Sequence, residues 1–328
     1  MKNPLVSIIT PCYNSSAYIS RFIKSLLNQS YKNIEWIVVN DGSTDETESI
    51  IKSYYEDFKA QGMRVIYQYQ TNQGLGGAIN TGLKFVSGDY FTWCDSDNLF
   101  TEDYVFEKIK FFSEHPEAVI VRCDGFIVLD SDVEHPIAKL ADNNPEKNKK
   151  NLFLNCLTCK NFHFGCTMLK TDAFDLVNPN REIYPSREGQ NWQIMLPMFY
   201  KYDSYYIDKP MFYFVIREDS ISHAASNKGL EASIKQNNEC EKTEEIVVKT
   251  MQIPEEKEYL DIIHRQYSLI RFWLYDKYDD YEKLKREYLY LKENQWLEKP
   301  VCDTFKRRKS VVWMILHKVK KVIKNQNT

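Results

Sequence analysis

The sequence predicts an α/β fold in which a wound, mostly parallel sheet is flanked by helices and followed by a helical extension. Three observations carry that expectation. Over about the first 95 residues, four strand-length runs rich in β-branched and aromatic side chains alternate with helical patterns. After residue 226 strand signals thin out, and long charged patterns rich in Tyr and Leu take over. With 328 residues at 43% hydrophobic, the chain can build one large core with a smaller unit beside it.

Residues 5–10, 34–40, 65–69 and 90–94 read as strands, each bounded by turn-forming residues. Residues 17–28, 45–60 and 75–86 repeat apolar side chains every three or four positions and read as the helices between them. Ser43-Thr44-Asp45-Glu46 supplies capping groups for the second helix. Repeated strand–helix–strand units with right-handed crossovers make the strands parallel. In such a sheet ligands bind beyond the carboxyl ends of the strands, which directs attention to the loops at 10–14, 41–45 and 95–98. Further on, residues 262–291 carry aromatic and aliphatic side chains at helical spacing, the pattern of a packing surface.

A net charge of −3 argues against a surface built to neutralise nucleic-acid phosphate, so no nucleic-acid partner is expected. The eight cysteines are scattered through a core-rich chain with no secretory signal and are expected as reduced thiols. Cys156 and Cys159 have the spacing of a zinc half-site, but no second pair completes a four-ligand set. No apolar run reaches the roughly 18 residues that crossing a bilayer requires, so a soluble or peripheral protein is expected.

Cys94-Asp95-Ser96-Asp97-Asn98 sets two carboxylates one residue apart just after a strand. In a turn they can grip one hard cation such as Mg²⁺ or Mn²⁺, which prefers oxygen ligands and keeps positions open for substrate phosphate. The same tripeptide also serves as a solvated turn or helix cap. Its surroundings decide between the two.

Those surroundings form an ordered series. Val6-Ser7-Ile8-Ile9-Thr10-Pro11-Cys12-Tyr13-Asn14 and Ile37-Val38-Val39-Asn40-Asp41-Gly42-Ser43-Thr44-Asp45 come first, then the Gly-rich Asn72-Gln73-Gly74-Leu75-Gly76-Gly77-Ala78-Ile79-Asn80. Ser87-Gly88-Asp89-Tyr90 and the paired carboxylates follow. Across residues 6–223 this series resembles the inverting glycosyltransferases of family 2, of bacterial polysaccharide type. The resemblance implies a GT-A fold, with a Rossmann-like, mixed but mostly parallel sheet. It divides the chain into a nucleotide-sugar-binding catalytic domain at 1–225 and a helical region at 226–328 with a basic amphipathic tail.

By the same resemblance Pro11, Tyr13, Asn14, Asp41, Asn80, Asp95 and Arg217 are expected on the donor side. Tyr13 would offer an aromatic face to the base and Asp41 would accept from a base imide. Asp97 and His223 are the expected ligands of a divalent cation, Mn²⁺ or Mg²⁺. Ile79 stands where many relatives have Arg. Relatives carry a Glu-Asp pair on the acceptor side, whereas Gln190 and Asn191 occupy those positions before Trp192. Neither amide can act as a base, so Glu188 is the expected catalytic base and Gln190, Asn191 and Trp192 the acceptor-side residues.

The resemblance therefore implies transfer of a sugar from a nucleotide-diphosphate donor to a hydroxyl on a saccharide or lipid-linked saccharide, in cell-surface polysaccharide synthesis. Lys306-Arg307-Arg308-Lys309, the apolar stretch 311–316 and the lysines after it read as a basic helix suited to an anionic membrane surface. The expected location is cytoplasmic, peripheral at the inner face of the plasma membrane. Two other readings compete. A non-catalytic nucleotide-sugar-binding protein would fit the missing acid pair, and a nucleotidyltransferase would need a Gly-rich basic loop where Thr10-Pro11-Cys12-Tyr13-Asn14 stands.

Overall fold

The computed structural model describes residues 3–142, 144–158, 164–186, 188–217 and 229–310. The first half alternates β1 (Val6–Cys12), α1 (Ile19–Leu27), β2 (Ile34–Asn40), α2 (Thr47–Ser53), α3 (Tyr55–Ala60), β3 (Arg64–Tyr69), α4 (Gly74–Leu83) and β4 (Tyr90–Trp93). All four expected strands form. The helix expected over 45–60 divides at Tyr54 into α2 and α3. Asp45 accepts from the Thr47 N–H at 3.0 Å, giving the first turn of α2 the capping group that the sequence offered.

β5 (Leu99–Phe100), α5 (Tyr104–Glu114), β6 (Ile120–Leu129), β7 (Ala138–Lys139), α6 (Phe153–Leu157), β8 (Thr167–Lys170), α7 (Thr171–Val177), α8 (Gln190–Lys201) and β9 (Ser204–Ile216) complete the sheet and its covering helices. The sheet order is β3-β2-β1-β4-β8-β6-β9-β5, with β7 beside β6. Strands β3, β2, β1 and β4 are parallel, β8 runs against both β4 and β6, and β6 with β9 is the longest parallel pair.

The second half of the sheet was not read from the sequence. In β6 the apolar run is interrupted by Arg122, Asp124 and Gly125, and β9 contains Asp208, Lys209 and Pro210. The ladder shifts register between Cys123 and Gly125, opposite Pro210. Proline has no N–H to give to a regular ladder, and a bulge accommodates it.

β1 and β2 are buried along their whole length, as strands covered by helices on both faces must be. Ile9, Ile37 and Val39 face a core shared with α4 and α8, whereas Val6, Ile8, Trp36 and Val38 face one shared with α1 and α5. Phe58 stacks on Trp36 with ring centroids 5.1 Å apart.

Among the described residues four helices follow: α9 (Gly229–Met251), α10 (Glu256–Lys277), α11 (Tyr281–Glu293) and α12 (Lys299–Lys309). The helical pattern of 262–291 is broken between α10 and α11, where Asp279 turns with φ +60°. Val247, Val248, Ile263 and Tyr267 join the core of α4 and α8, while Phe272, Tyr275, Leu284, Leu291 and Val301 form a smaller one. Among the described residues no helix is long and apolar enough to cross a membrane.

Candidate active site

The carboxyl ends of β1, β2 and β4 meet as their parallel register requires. Asp41, the residue after β2, donates its N–H to the Cys12 carbonyl at 2.8 Å. Ser15, in the loop after β1, shares a 2.9 Å hydrogen bond with Ser96, which lies between the paired carboxylates. The Cys12 thiol is buried beneath this junction; burial pushes it far above its usual range, and Asp95, Asp97 and Asp45 push in the same direction while a Ser96 hydrogen bond opposes them. Loops far apart in sequence thus bring three acidic side chains round one strand end.

Tyr13 leaves β1 half exposed, and Pro11 is buried in the strand opposite Val39. Asn14 adopts φ +48°, a left-handed conformation that asparagine tolerates better than most residues. Its backbone N–H donates to Ser43 Oγ at 2.9 Å and its Oδ1 accepts from the Thr44 N–H at 2.9 Å. Asn14 therefore ties the first loop to the second.

Asp41 is 3% exposed and heavily engaged. Its Oδ1 accepts from Gln70 Nε2 at 2.7 Å and the Gln73 N–H at 2.8 Å, while Oδ2 accepts from the Gly74 N–H at 2.8 Å. A carboxylate has about four acceptor positions, so one lone pair is left for a ligand. Gln70 is itself oriented by Thr81, whose hydroxyl donates to its Oε1 at 2.5 Å.

Asp95 and Asp97 differ in setting. Asp95 opens to solvent within a crowded cleft, and Asp97 is partly covered. Crowding and repulsion from Asp97 raise the proton affinity of Asp95, with Arg217 opposing both. Because Asp95 reaches solvent, the rise is smaller than a sealed carboxyl would show. Asp97 is raised by burial and opposed chiefly by Arg217, whose guanidinium lies 3.0 Å away. That guanidinium also covers the Tyr18 ring, 4.2 Å from its centroid.

The sheet explains why Arg217 arrives here. β9 continues as strand to Ile216, and Leu99 and Phe100 pair antiparallel with Tyr213 and Phe212. Asn98 Oδ1 extends that pairing by accepting from the Val215 N–H at 3.0 Å. Arg217 follows at once. His223 and the stretch 311–328 lie outside the described residues. Of the basic run before that stretch, Arg308 is bound to Asp276 and Asp279 and so is a packing contact, not a free surface charge.

Two residues expected to touch substrate are otherwise employed. Asn80 spends both ends of its amide on Ile183, donating to the carbonyl and accepting from the N–H at 2.6 Å each. Gln190 is buried and donates to the Ser186 carbonyl at 2.9 Å. Asn191 and Trp192 are half-buried on the first turn of α8, with Trp192 packed against the core. Ile79 is fully buried and points into that core.

Glu188 stands just before α8, next to Gly189, whose φ of +77° suits glycine. Its N–H donates to Ser186 Oγ at 3.0 Å and its Oε2 accepts from Gln236 Nε2 on α9 at 3.3 Å. Burial raises its proton affinity, the Gln236 hydrogen bond lowers it, and Glu239 raises it again, leaving the carboxyl above its ordinary range. Ser186 connects this loop to the donor edge, because the Gly76 N–H of α4 donates to the Ser186 carbonyl at 3.3 Å. A Cβ on Gly76 would sit 2.5 Å from that oxygen, so only glycine allows this approach.

Tyr18, Gln70, Ser186, Gln236 and Thr243 escaped the sequence reading. Their partners lie many residues away, and no local pattern marks them. Tyr69, 58% exposed at the end of β3 beside Asn40, carried a usable signal, an aromatic closing a strand at the ligand edge.

Comparisons with known proteins agree with this architecture. A family model described as Glycosyl transferase family 2 matches residues 7–177. An uncharacterized glycosyltransferase of Rickettsia prowazekii is 39% identical over 168 residues, covering 51% of this chain and 50% of that protein. Glycosyltransferase GlyA of Streptococcus pneumoniae is 40% identical over 116 residues, 35% of this chain and 16% of that one. The chain spans half the length of the first of these relatives or less. Among solved structures, S. aureus TarS 1-349 in complex with UDP-GlcNAc superposes with TM-score 0.56 at 17% identity, covering 93% of this chain and 90% of that one. The mannosyltransferase PcManGT from Pyrobaculum calidifontis, in complex with GDP-Man and Mn²⁺, gives 0.55 at 16%, covering 98% and 88%. At such identities these two show a shared GT-A fold and nothing finer.

Proposed function

The chain belongs to glycosyl transferase family 2, and from that premise we propose that it is an inverting, divalent-cation-dependent hexosyltransferase that moves a sugar from a nucleotide diphosphate to an acceptor hydroxyl. The observation that carries the reading is an unbroken run of contacts. Asp41 bonds to Cys12 and to the Gly74 N–H, Gly76 bonds to Ser186, and Ser186 bonds to Glu188. Donor edge and candidate base are therefore held on one rigid frame, the condition for aligning two reactants.

In this reading Tyr13 stacks on the base and the remaining lone pair of Asp41 accepts from it. Asp95 and Asp97 offer an all-oxygen donor set, and the negative charge of Asp97 raises the proton affinity of Asp95 against the pull of Arg217. That fits Mg²⁺ or Mn²⁺, with His223 as a further ligand. Such an ion supplies positive charge next to the departing diphosphate. Arg217 turns its planar fork from Asp97 to the phosphate oxygens.

Glu188 takes the acceptor proton as the acceptor oxygen bonds to the anomeric carbon. The bond from that carbon to the phosphate oxygen breaks on the opposite face, and its electrons leave with the diphosphate. The acceptor is proposed to be a saccharide or lipid-linked saccharide of a cell-surface polysaccharide, met at the cytoplasmic face of the membrane with residues 1–225 as the catalytic unit.

A thermal-shift screen of nucleotide sugars with Mn²⁺, followed by product detection with the stabilising donor, tests this. Hydrolysis or transfer of that donor is expected. Tight binding with no turnover on any acceptor would assign a binding module instead.

A further inference from the structure

Away from the donor edge, α9 and α10 bring three metal-ligating side chains together. Glu241 and Glu245 lie one helical turn apart on α9, and His264 faces both from α10. The His264 Nδ1 is 3.1 Å from Glu241 Oε1 and 3.5 Å from Glu245 Oε1. The three ligand atoms all lie within 4.8 Å of one another. We propose that Glu241, Glu245 and His264 form a second metal site, selective for zinc-like cations, that clamps α9 to α10.

The His264 Nδ1 makes a 3.1 Å hydrogen bond with Glu241 Oε1, and the approach of Glu245 Oε1 to the same nitrogen is what that bond does not account for. A single Nδ1–H cannot align with two carboxylate oxygens, and the longer of the two separations is beyond an ordinary N–H···O bond. For a tetrahedral ion about 2.05 Å from each ligand, neighbouring ligand atoms are about 3.3 Å apart. The two separations from His264 bracket that edge length, and the remaining one, between the two glutamates, is within 4.8 Å.

The outer oxygens are already occupied, which aims the inner ones. Glu241 Oε2 accepts from Arg271, which also holds Glu287 at 3.0 Å, and Glu245 Oε2 pairs with Lys249 at 3.2 Å. Partners of this kind orient metal-ligating carboxylates. Three ligands leave a fourth position for water. The mixed nitrogen and oxygen set also differs from the oxygen-only pair at Asp95 and Asp97, and imidazole favours zinc-like ions over Mg²⁺.

The clamp bears on the candidate base. α9 presents Gln236 to the Glu188 carboxylate and Thr243 to Ser186 Oγ at 3.0 Å. Fixing α9 on α10 fixes the wall against which Glu188 rests.

Cobalt titration of the full chain tests the site, because four-coordinate Co²⁺ absorbs strongly in the visible and octahedral Co²⁺ does not. One equivalent is expected to give the intense band, Zn²⁺ to bleach it, and millimolar Mg²⁺ to leave it. Glu245→Gln and His264→Gln should each lose the band, and Asp97→Ala should keep it, which separates this site from the donor site. Far-UV spectra establish that each variant is folded, and if His264→Gln is not, the near-isosteric Glu245→Gln decides. Absence of the band in the wild-type chain, or its persistence in a folded Glu245→Gln variant, overturns the proposal.

Discussion

The Arg217 guanidinium lies 3.0 Å from the Asp97 carboxylate while covering the ring of Tyr18. It occupies the side of the paired carboxylates to which a cation and a diphosphate would also be drawn. Arg217 thus has two opposed tendencies: it competes with the cation for Asp97, and it attracts the phosphate that the cation would bridge.

Arg217→Ala should therefore split two affinities. Cation binding without donor should tighten several-fold, because a competing charge is gone, while the KM for the donor should rise about tenfold or more through loss of a charged hydrogen-bond donor. Calorimetry with Mn²⁺ alone and steady-state kinetics read the two effects. Weakening of both together would mean that Arg217 supports the carboxylates and does not compete for them. Asp97→Ala is expected to abolish cation-dependent donor binding and cut turnover by roughly 10²–10³.

Gly76 and Asn80 join α4 to the segment before α8 and should respond as a joint, not as donor contacts. In an open helix Gly→Ala stabilises by about 1 kcal/mol, but here the added Cβ meets the Ser186 carbonyl oxygen at 2.5 Å. Gly76→Ala should thus lower stability by about 1–3 kcal/mol, measured by urea unfolding. Asn80→Ala removes both partners of the Ile183 backbone and should cost about 2 kcal/mol while leaving the donor dissociation constant within about twofold of wild type. A large loss of donor affinity would return Asn80 to the donor site.

Asp45 ties acid stability to the same edge. Burial alone would raise its pKa, but hydrogen bonds from Thr47 and Ser16 outweigh it and hold the carboxyl at about 2 against an ordinary 3.8. A depressed carboxylate stabilises the fold above its unfolded pKa and loses that contribution as pH falls through the folded value. The window is therefore about pH 4 to 2. The group is largely exposed, and screening limits the contribution to about 1 kcal/mol. Stability measured against pH should fall less steeply across that window in Asp45→Asn than in wild type.

What could be read in advance follows from the range of the interactions. β1, β2, β3 and β4 announce themselves because strands covered on both faces are apolar throughout, and the loops after them must cluster at one edge. β6 and β9 were not legible, since Arg122, Asp124 and Pro210 interrupt them and the pairing that tolerates those residues is 80 or more positions long-range. Asp95 and Asp97 were legible because their spacing sits within an ordered series of motifs along the chain. That Asn80 holds Ile183, or that Gln236 reaches Glu188, depends on contacts 103 and 48 positions apart, and no periodicity encodes them.

Glu188 offers the sharpest functional test because its surroundings act on it in opposite directions. A base must be unprotonated, so activity should rise with pH through a pKa above the ordinary glutamate range, raised by burial first and by Glu239 as well. Removing the Glu239 charge with Glu239→Gln should move the acid limb of kcat/KM to lower pH. Removing the Gln236 hydrogen bond with Gln236→Leu should move it to higher pH, since that bond favours the charged form. Glu188→Gln should cost roughly 10²–10⁴ in turnover and abolish the limb. An acid limb that stays in place in both neighbours' variants, with turnover preserved in Glu188→Gln, would assign the acceptor proton to another group.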